Sequence, residues 1–297
     1  MKKLLLLLLC VPLIAFTQDK SKIIEVYNAN QFVDAIGPNR TINLMGTINL
    51  SEIDTNKFGD YYRIQNAYDG PELVIHHIEY LNIVGVDEYP IEILTKPRYG
   101  WVLVFEDCKN IMIDNVNAGH FPDKGGCTGG VFYFKDCRNI LINNSIMYGS
   151  GTEGIRTEKV KNLQCNNSII WGCTYYIMTL NNSMYIEFNN CKFNNNEEFD
   201  LINISTCINV EFNSCEFMNN KNGSTRINTR TKQEYGGCYE SYTNDALFDV
   251  NESISVVLNN CSIKNNNTCY FLRTENTLEL NNTVIENNKF NKGLYQD

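Results

Sequence analysis

Cys165-Asn166-Asn167-Ser168-Ile169 is one copy of a phrase that the chain writes seven times. The other copies are Ile113-Asp114-Asn115-Val116, Ile142-Asn143-Asn144-Ser145-Ile146, Phe188-Asn189-Asn190-Cys191-Lys192-Phe193, Phe212-Asn213-Ser214-Cys215-Glu216-Phe217, Leu258-Asn259-Asn260-Cys261-Ser262-Ile263 and Leu280-Asn281-Asn282-Thr283-Val284-Ile285. Counted from the second polar residue, successive copies stand 29, 23, 23, 24, 46 and 22 residues apart. Alternating apolar residues repeated at a period near 23 are the pattern of a β-solenoid, in which each coil buries its apolar face against the next.

Working outward from the phrase, each coil holds three short strands. The first begins at Val102, Val131, Ile155, Ile177, Leu201, Leu247 or Phe271. The second is of the Asn-Ile-Met-Ile or Asn-Val-Glu-Phe type, and the third of the Cys-x-Phe or Ser-x-Ile type. The polar pair falls at the bend between second and third strands. Asparagine tolerates the left-handed backbone of a tight bend and its side chain bonds neighbouring backbone, which accounts for much of the chain's 44 asparagines.

Ahead of the coils, Asn28-Ala29-Asn30-Gln31 reads as a capping box, and Phe32, Ala35 and Ile36 form an apolar stripe before Gly37-Pro38 stops the helix. A short helix over about 29–36 would close the open edge of the first coil. Further upstream, Lys2 and Lys3 precede an apolar run from Leu4 to Phe16, with small residues Ala15 and Thr17 where a signal peptidase cuts. Residues 1–17 are therefore expected to be an export signal and 18–297 one β-helix domain. No later run is long and apolar enough to span a bilayer.

Loss of Lys2 and Lys3 takes the net charge from −9 to −11. Such a chain lacks the basic footprint that nucleic acid needs, and a polyanionic glycan fits it poorly without a local basic patch or a bound cation. Export permits disulfides among the eleven cysteines that remain. The repeat offers another place for them: Cys191, Cys215 and Cys261 share one coil position, and Cys108, Cys137 and Cys207 another. We expect mostly free thiols stacked in the interior. No Cys-x-x-Cys pair suggests zinc.

Two coils break the period between a third strand and the next first strand. One carries an insertion near 121–126; the other holds 221–245, which lacks strand alternation and reads as a long loop rather than a degenerate coil.

The Asn-Asn-Cys/Ser-x-Ile/Phe repeats and the helix ahead of them resemble the right-handed parallel β-helix superfamily, the pectate-lyase-like fold. The resemblance covers nearly all of the chain after the leader. It implies an all-β, single right-handed parallel β-helix of three-strand coils with a short N-terminal helical cap. It also implies a polysaccharide groove along the first strands and their adjoining loops. The superfamily's catalytic motifs do not carry over: Gly119-His120 is followed by Phe121 instead of glycine, and the other galacturonase motifs and the pectate lyase arginine motif are missing.

The strongest chemical candidate is the Gly-rich stretch Gly119 to Gly130, read with Tyr148 to Arg156 one coil on. Counted from the repeat anchors, His120, Gly149 and Gly172 fall at one height, leaving room beneath the loop. There His120, Glu153 and Arg156 are candidate catalytic groups: an imidazole and a carboxyl can divide acid and base work, and an arginine can hold an oxyanion or a sugar carboxylate. Asp123, Lys124, Tyr148, Trp171 and Tyr175 are candidate substrate contacts. So are Arg226, Arg230 and Tyr235 in the second insertion, a basic, tyrosine-bearing loop on an acidic protein. His76 and His77 are adjacent in a strand, so they are expected on opposite faces and not as joint ligands of one ion. Glu106, Asp107, Glu158 and Asp249 could attract calcium, but without calcium-loop spacing; no cofactor is indicated.

The sequence therefore points to an exported, periplasmic or surface β-helix protein that binds or processes polysaccharide. If it is an enzyme, it is a polysaccharide lyase or a glycoside hydrolase. The rival reading is a non-catalytic adhesive or scaffold solenoid.

Overall fold

The computed structural model describes residues 21–121, 127–149, 151–223, 225–227, 230, 234–236, 238, 245–274 and 278–296. The three strands of each coil stack on their counterparts to make three long sheets. The first-strand sheet has ten strands, the second-strand sheet ten and the third-strand sheet nine. Pairing is parallel from coil to coil, as in Ile140↔Leu163↔Ile186↔Val210↔Val256. The exception is the strand Tyr62–Asn66, which folds back antiparallel on Pro71–His76 at the N-terminal edge of the first-strand sheet. The architecture is the right-handed parallel β-helix that the repeat implies. Among the described residues, no helix is long and apolar enough to cross a membrane.

The repeat phrase does the bending. Asn115, Asn144, Asn167, Asn190, Ser214, Asn260 and Asn282 all have φ between 47° and 56°, the left-handed region where asparagine carries little penalty. The residue before each bend points along the axis. Asn166 donates to Asn143, Asn189 to Asn166, Asn213 to Asn189, Asn259 to Asn213 and Asn281 to Asn259, at 2.8–3.0 Å. A second file of amides, Asn196, Asn220, Asn266 and Asn288, follows the third strands. Its first three members are fully buried, and each donates to the next as well as to a carbonyl of a neighbouring coil. These amides satisfy backbone groups that the turns leave without strand partners.

The interior is apolar, with stacked rings such as Phe188 on Phe212, 5.0 Å apart and 8° from parallel. Full burial of one such side chain contributes about 1.5–3 kcal/mol. Cys108, Cys137, Cys165, Cys173, Cys191, Cys207, Cys215 and Cys261 are buried in these files as thiols outside any disulfide, and Cys127 is a half-buried thiol. Cys238 and Cys269 form a disulfide.

At the N-terminal end, helix α1 (Ala29–Ala35) turns Phe32 and Val33 into the core. Asn28 Oδ1 accepts the Gln31 N–H at 3.0 Å, while Gln31 Oε1 accepts from Tyr27 N–H at 2.8 Å, one residue before the N-cap. Arg40 closes the helix by donating to the Ala35 and Ile36 carbonyls. Within 221–245, Thr225–Ile227 and Glu234–Gly236 form an antiparallel hairpin that pairs with none of the three long sheets.

Candidate functional site

Residues of opposite parity on the first strands have opposite fates. Phe132 and Phe134 fill the core, and Tyr133 between them faces out. The register then fixes an outward row: Val74, Val104, Tyr133, Arg156, Thr179, Asn203, Asp249 and Arg273. At 4.7–4.9 Å per coil the row is straight and about 34 Å long.

At its N-terminal end a hollow of about 300 Å³ opens between the Tyr62–Asn66 hairpin and the sheet. Gln65, Glu72, Tyr99, Trp101, Glu106 and Tyr133 are among its lining residues. Trp101 gains its place from Gly130 in the next coil: a Cβ on Gly130 would lie 2.1 Å from the indole. Trp101 and Tyr133 are tilted against each other, 5.2 Å between centroids. The Tyr133 hydroxyl donates to Glu158 at 2.7 Å, and the Arg156 guanidinium sits 5.4 Å over its ring. Buried Glu72 accepts the Trp101 backbone N–H at 2.7 Å and the Gln65 amide. Glu106 pairs with Arg63 at 2.8 Å. The result is an aromatic floor with carboxyl and amide groups fixed around it.

Further along, the Glu153 carboxyl is 1% exposed, bonded to the Thr179 hydroxyl and 3.8 Å from Arg156 Nη1. Burial pushes its pKa from 4.5 up to about 7, with Thr179 and Arg156 pulling the other way. Two coils on, Asp200 occupies the same coil position. Its carboxyl accepts the Ala246 N–H at 2.7 Å and meets Arg273 at 2.5 Å. Burial raises it to about 7 against the pull of Arg273. The same guanidinium holds Asp249 through Nη2 and Nε, and Asn203 and Asn251 complete that carboxylate's shell. The sequence reading missed this Asp200–Asp249–Arg273 cluster. The signal was present in the register, since all three lie on or next to first strands, but the long 221–245 excursion hides it.

The candidate catalytic trio is corrected. Glu153 and Arg156 meet, but His120 does not join them. His120 is 3% exposed, and its Nε2 bonds the Gly100 carbonyl at 2.9 Å. Burial lowers its pKa, so the ring stays neutral and pins the turn that carries Trp101. His120, Gly149 and Gly172 do stand in file, the two glycines at φ near 65°.

The candidate substrate contacts are divided among faces. Tyr148 and Trp171 stack 5.6 Å apart and 14° from parallel on the outer face of the third-strand sheet, away from the row above. Tyr175 packs on Phe199 at 5.2 Å beside the Asp200 cluster. Arg226 lies opposite Tyr235 in the hairpin, and exposed Arg230 lies between its strands. The side chains of Arg226 and Tyr235, and all of Asp123 and Lys124, lie outside the described residues. The histidine pair is also corrected. His77 has φ 54°, so it leaves the strand geometry, and its ring meets that of His76. Among the described residues, no group of three or more His, Cys, Asp or Glu is placed to hold a metal ion.

No family model matches the chain. No curated protein matches it in sequence. Solved structures do match in shape. A pectate lyase from Paenibacillus sp. 0602 is 10% identical, with TM-score 0.52, covering 91% of this chain and 79% of that one. The surface adhesin PfbA of Streptococcus pneumoniae is 11% identical over 91% of this chain and 82% of that one, with TM-score 0.33. What this chain shares with the pectate lyase is the parallel β-helix. At such identity the likeness concerns fold alone, and function rests on the site.

Proposed function

We propose that the protein binds a neutral polysaccharide outside the cytoplasm, laid along the outward row of the first-strand sheet. The hollow floored by Trp101 and Tyr133 is its anchoring subsite. The observation that carries this reading is that hollow: flat rings with fixed carboxyl and amide groups around them, at the head of a straight polar row. Sugar rings offer apolar faces to aromatics and hydroxyls to such acceptors and donors. The acidic balance favours a neutral chain, and of the row's two arginines Arg273 is held by Asp200 and Asp249 while Arg156 lies over the Tyr133 ring. The Lys2-Lys3 and Leu4–Phe16 leader supports an exported protein.

Binding is favoured over cleavage by one further observation. The groups best suited to acid–base work are buried and turned to neighbours, His120 Nε2 to the Gly100 carbonyl and Glu153 to the Thr179 hydroxyl. Affinity electrophoresis against neutral and acidic polysaccharides tests the reading. Retardation by a neutral polymer, weakened at least tenfold in Tyr133→Ala, supports it. Retardation by none, or by acidic polymers alone, overturns it. Reducing-end release that disappears in Glu153→Gln would instead make the protein an enzyme.

A further inference from the structure

The two ends of the prism differ. At the N-terminal end α1 lays Phe32 and Val33 over the core, and the strand Tyr62–Asn66 covers the edge of the first-strand sheet. The opposite end is open. Its outermost strands are Leu278–Asn281, Val284–Glu286 and Lys289–Gln296, one in each long sheet. Among the described residues, no strand pairs with their outer edges. Leu280, Ile285 and Tyr295 stand in register with Leu258, Ile263 and Leu272, which are buried in the core. Parallel partners in register point the same way, so these three also face the core. They are nevertheless 37%, 38% and 60% exposed, because no coil covers them. Each sheet thus ends one of its core files in an apolar side chain that meets water, and three strand edges with unpaired hydrogen-bonding groups ring the patch.

We propose that this open end docks a second copy of the chain, tail to tail about a two-fold axis. Two such coils laid face to face run in opposite senses, so every edge meets an antiparallel mate and the core files meet each other. Charge selects the axis. Glu286 is held by Lys264 at 3.2 Å, and Lys292 lies 6.0 Å from the Tyr270 ring centroid. Glu279 on the second-strand edge and Lys289 on the first-strand edge are exposed and, among the described residues, make no ion pair. An axis through the third-strand edge exchanges the other two edges. It sets Glu279 of each copy against the edge that carries Lys289 of the other. The segment Leu278–Gln296 comes close to the about 20 residues a side that a stable interface uses. Helix α1 denies the same contact to the other end, so the assembly closes at two copies.

The hollow floored by Trp101 lies toward the covered end, beside the strand Tyr62–Asn66. Pairing through the open ends sets two hollows at the far ends of one prism. On the glycan reading this makes a divalent binder that can bridge two polysaccharide chains. The pairing itself does not rest on that reading.

The test is sedimentation of the purified protein at low salt, with Ile285→Lys, Glu279→Lys, Lys289→Glu and the Glu279→Lys/Lys289→Glu double variant. The expected result is a dimer of micromolar affinity or better. Each single charge reversal should weaken it about tenfold, since the two-fold doubles every contact, and the double variant should restore it. Ile285→Lys should be monomeric with an unchanged circular dichroism spectrum. The charge swap keeps the test valid if Ile285→Lys fails to fold. A monomer at about 100 μM, assembly beyond two copies, a folded Ile285→Lys that still dimerises, or a double variant no tighter than the single ones overturns the proposal.

Discussion

Thr179 donates its hydroxyl hydrogen to the Glu153 carboxyl across one coil boundary, and that carboxyl is 1% exposed. Its folded pKa near 7 stands above the unfolded value near 4.5. The neutral form is therefore the one the fold prefers. Its stabilising contribution is complete below pH 4.5 and is lost as pH rises through 7. Asp200 adds the same dependence. Glu153→Gln removes one charge to be buried, so it should gain about 3 kcal/mol over wild type at pH 8.5 and nothing at pH 4.5. Urea midpoints at the two pH values check this; equal differences at both would contradict it.

His120 should give the opposite pH dependence. Its folded pKa is depressed by burial below 6.5. Its contribution is therefore present above pH 6.5 and lost as pH falls toward the folded value. His120→Ala also forfeits the bond to Gly100 and leaves a cavity, at a cost of about 2–4 kcal/mol. Thermal unfolding from pH 5 to 8 should show a smaller acid-side decline in the variant.

Gly130→Ala asks whether Trp101 depends on the glycine beneath it. A Cβ there would stand 2.1 Å from the indole. The ring must then move, at about 1–3 kcal/mol. The expected outcome is a red-shifted tryptophan emission with lowered stability. An unshifted spectrum would mean that the indole is not seated on Gly130.

The two amide files should differ in energetic weight. Buried Asn220 donates to the Phe193 carbonyl and to Asn266, and accepts twice from Asn196. Asn220→Ala strands those buried groups and should cost about 3 kcal/mol or more. Asn281, exposed in the last coil, donates once to Asn259, and Asn281→Ala should cost less than about 1 kcal/mol. Chemical denaturation of both variants measures the gap.

The coil architecture was legible because one bend chemistry recurs. A left-handed residue is needed at every corner, and the asparagines that supply it mark the period. The site was less legible for three physical reasons. First strands such as Val131-Phe132-Tyr133-Phe134 are apolar at both parities, so pattern alone could not say that Tyr133 faces out. A single left-handed φ at His77 reversed the expected direction of one ring. Counting from the anchors correctly put His120 in file with Gly149 and Gly172, but file position does not reveal that the ring turns inward to Gly100. Tyr148 and Trp171, read as groove residues, do meet, on a different face of the prism.

A glycan seated on Trp101 would be reported by the indole itself. The chain has two tryptophans, so Trp171→Phe leaves Trp101 as the sole indole reporter, and Trp101→Phe leaves Trp171. Both variants are titrated with the polysaccharide panel while emission is followed. The expected result is a saturable shift from Trp101 with a neutral polysaccharide and a flat response from Trp171. A flat Trp101 across the panel, with a shift from Trp171 instead, would contradict it and move the site to the third-strand face.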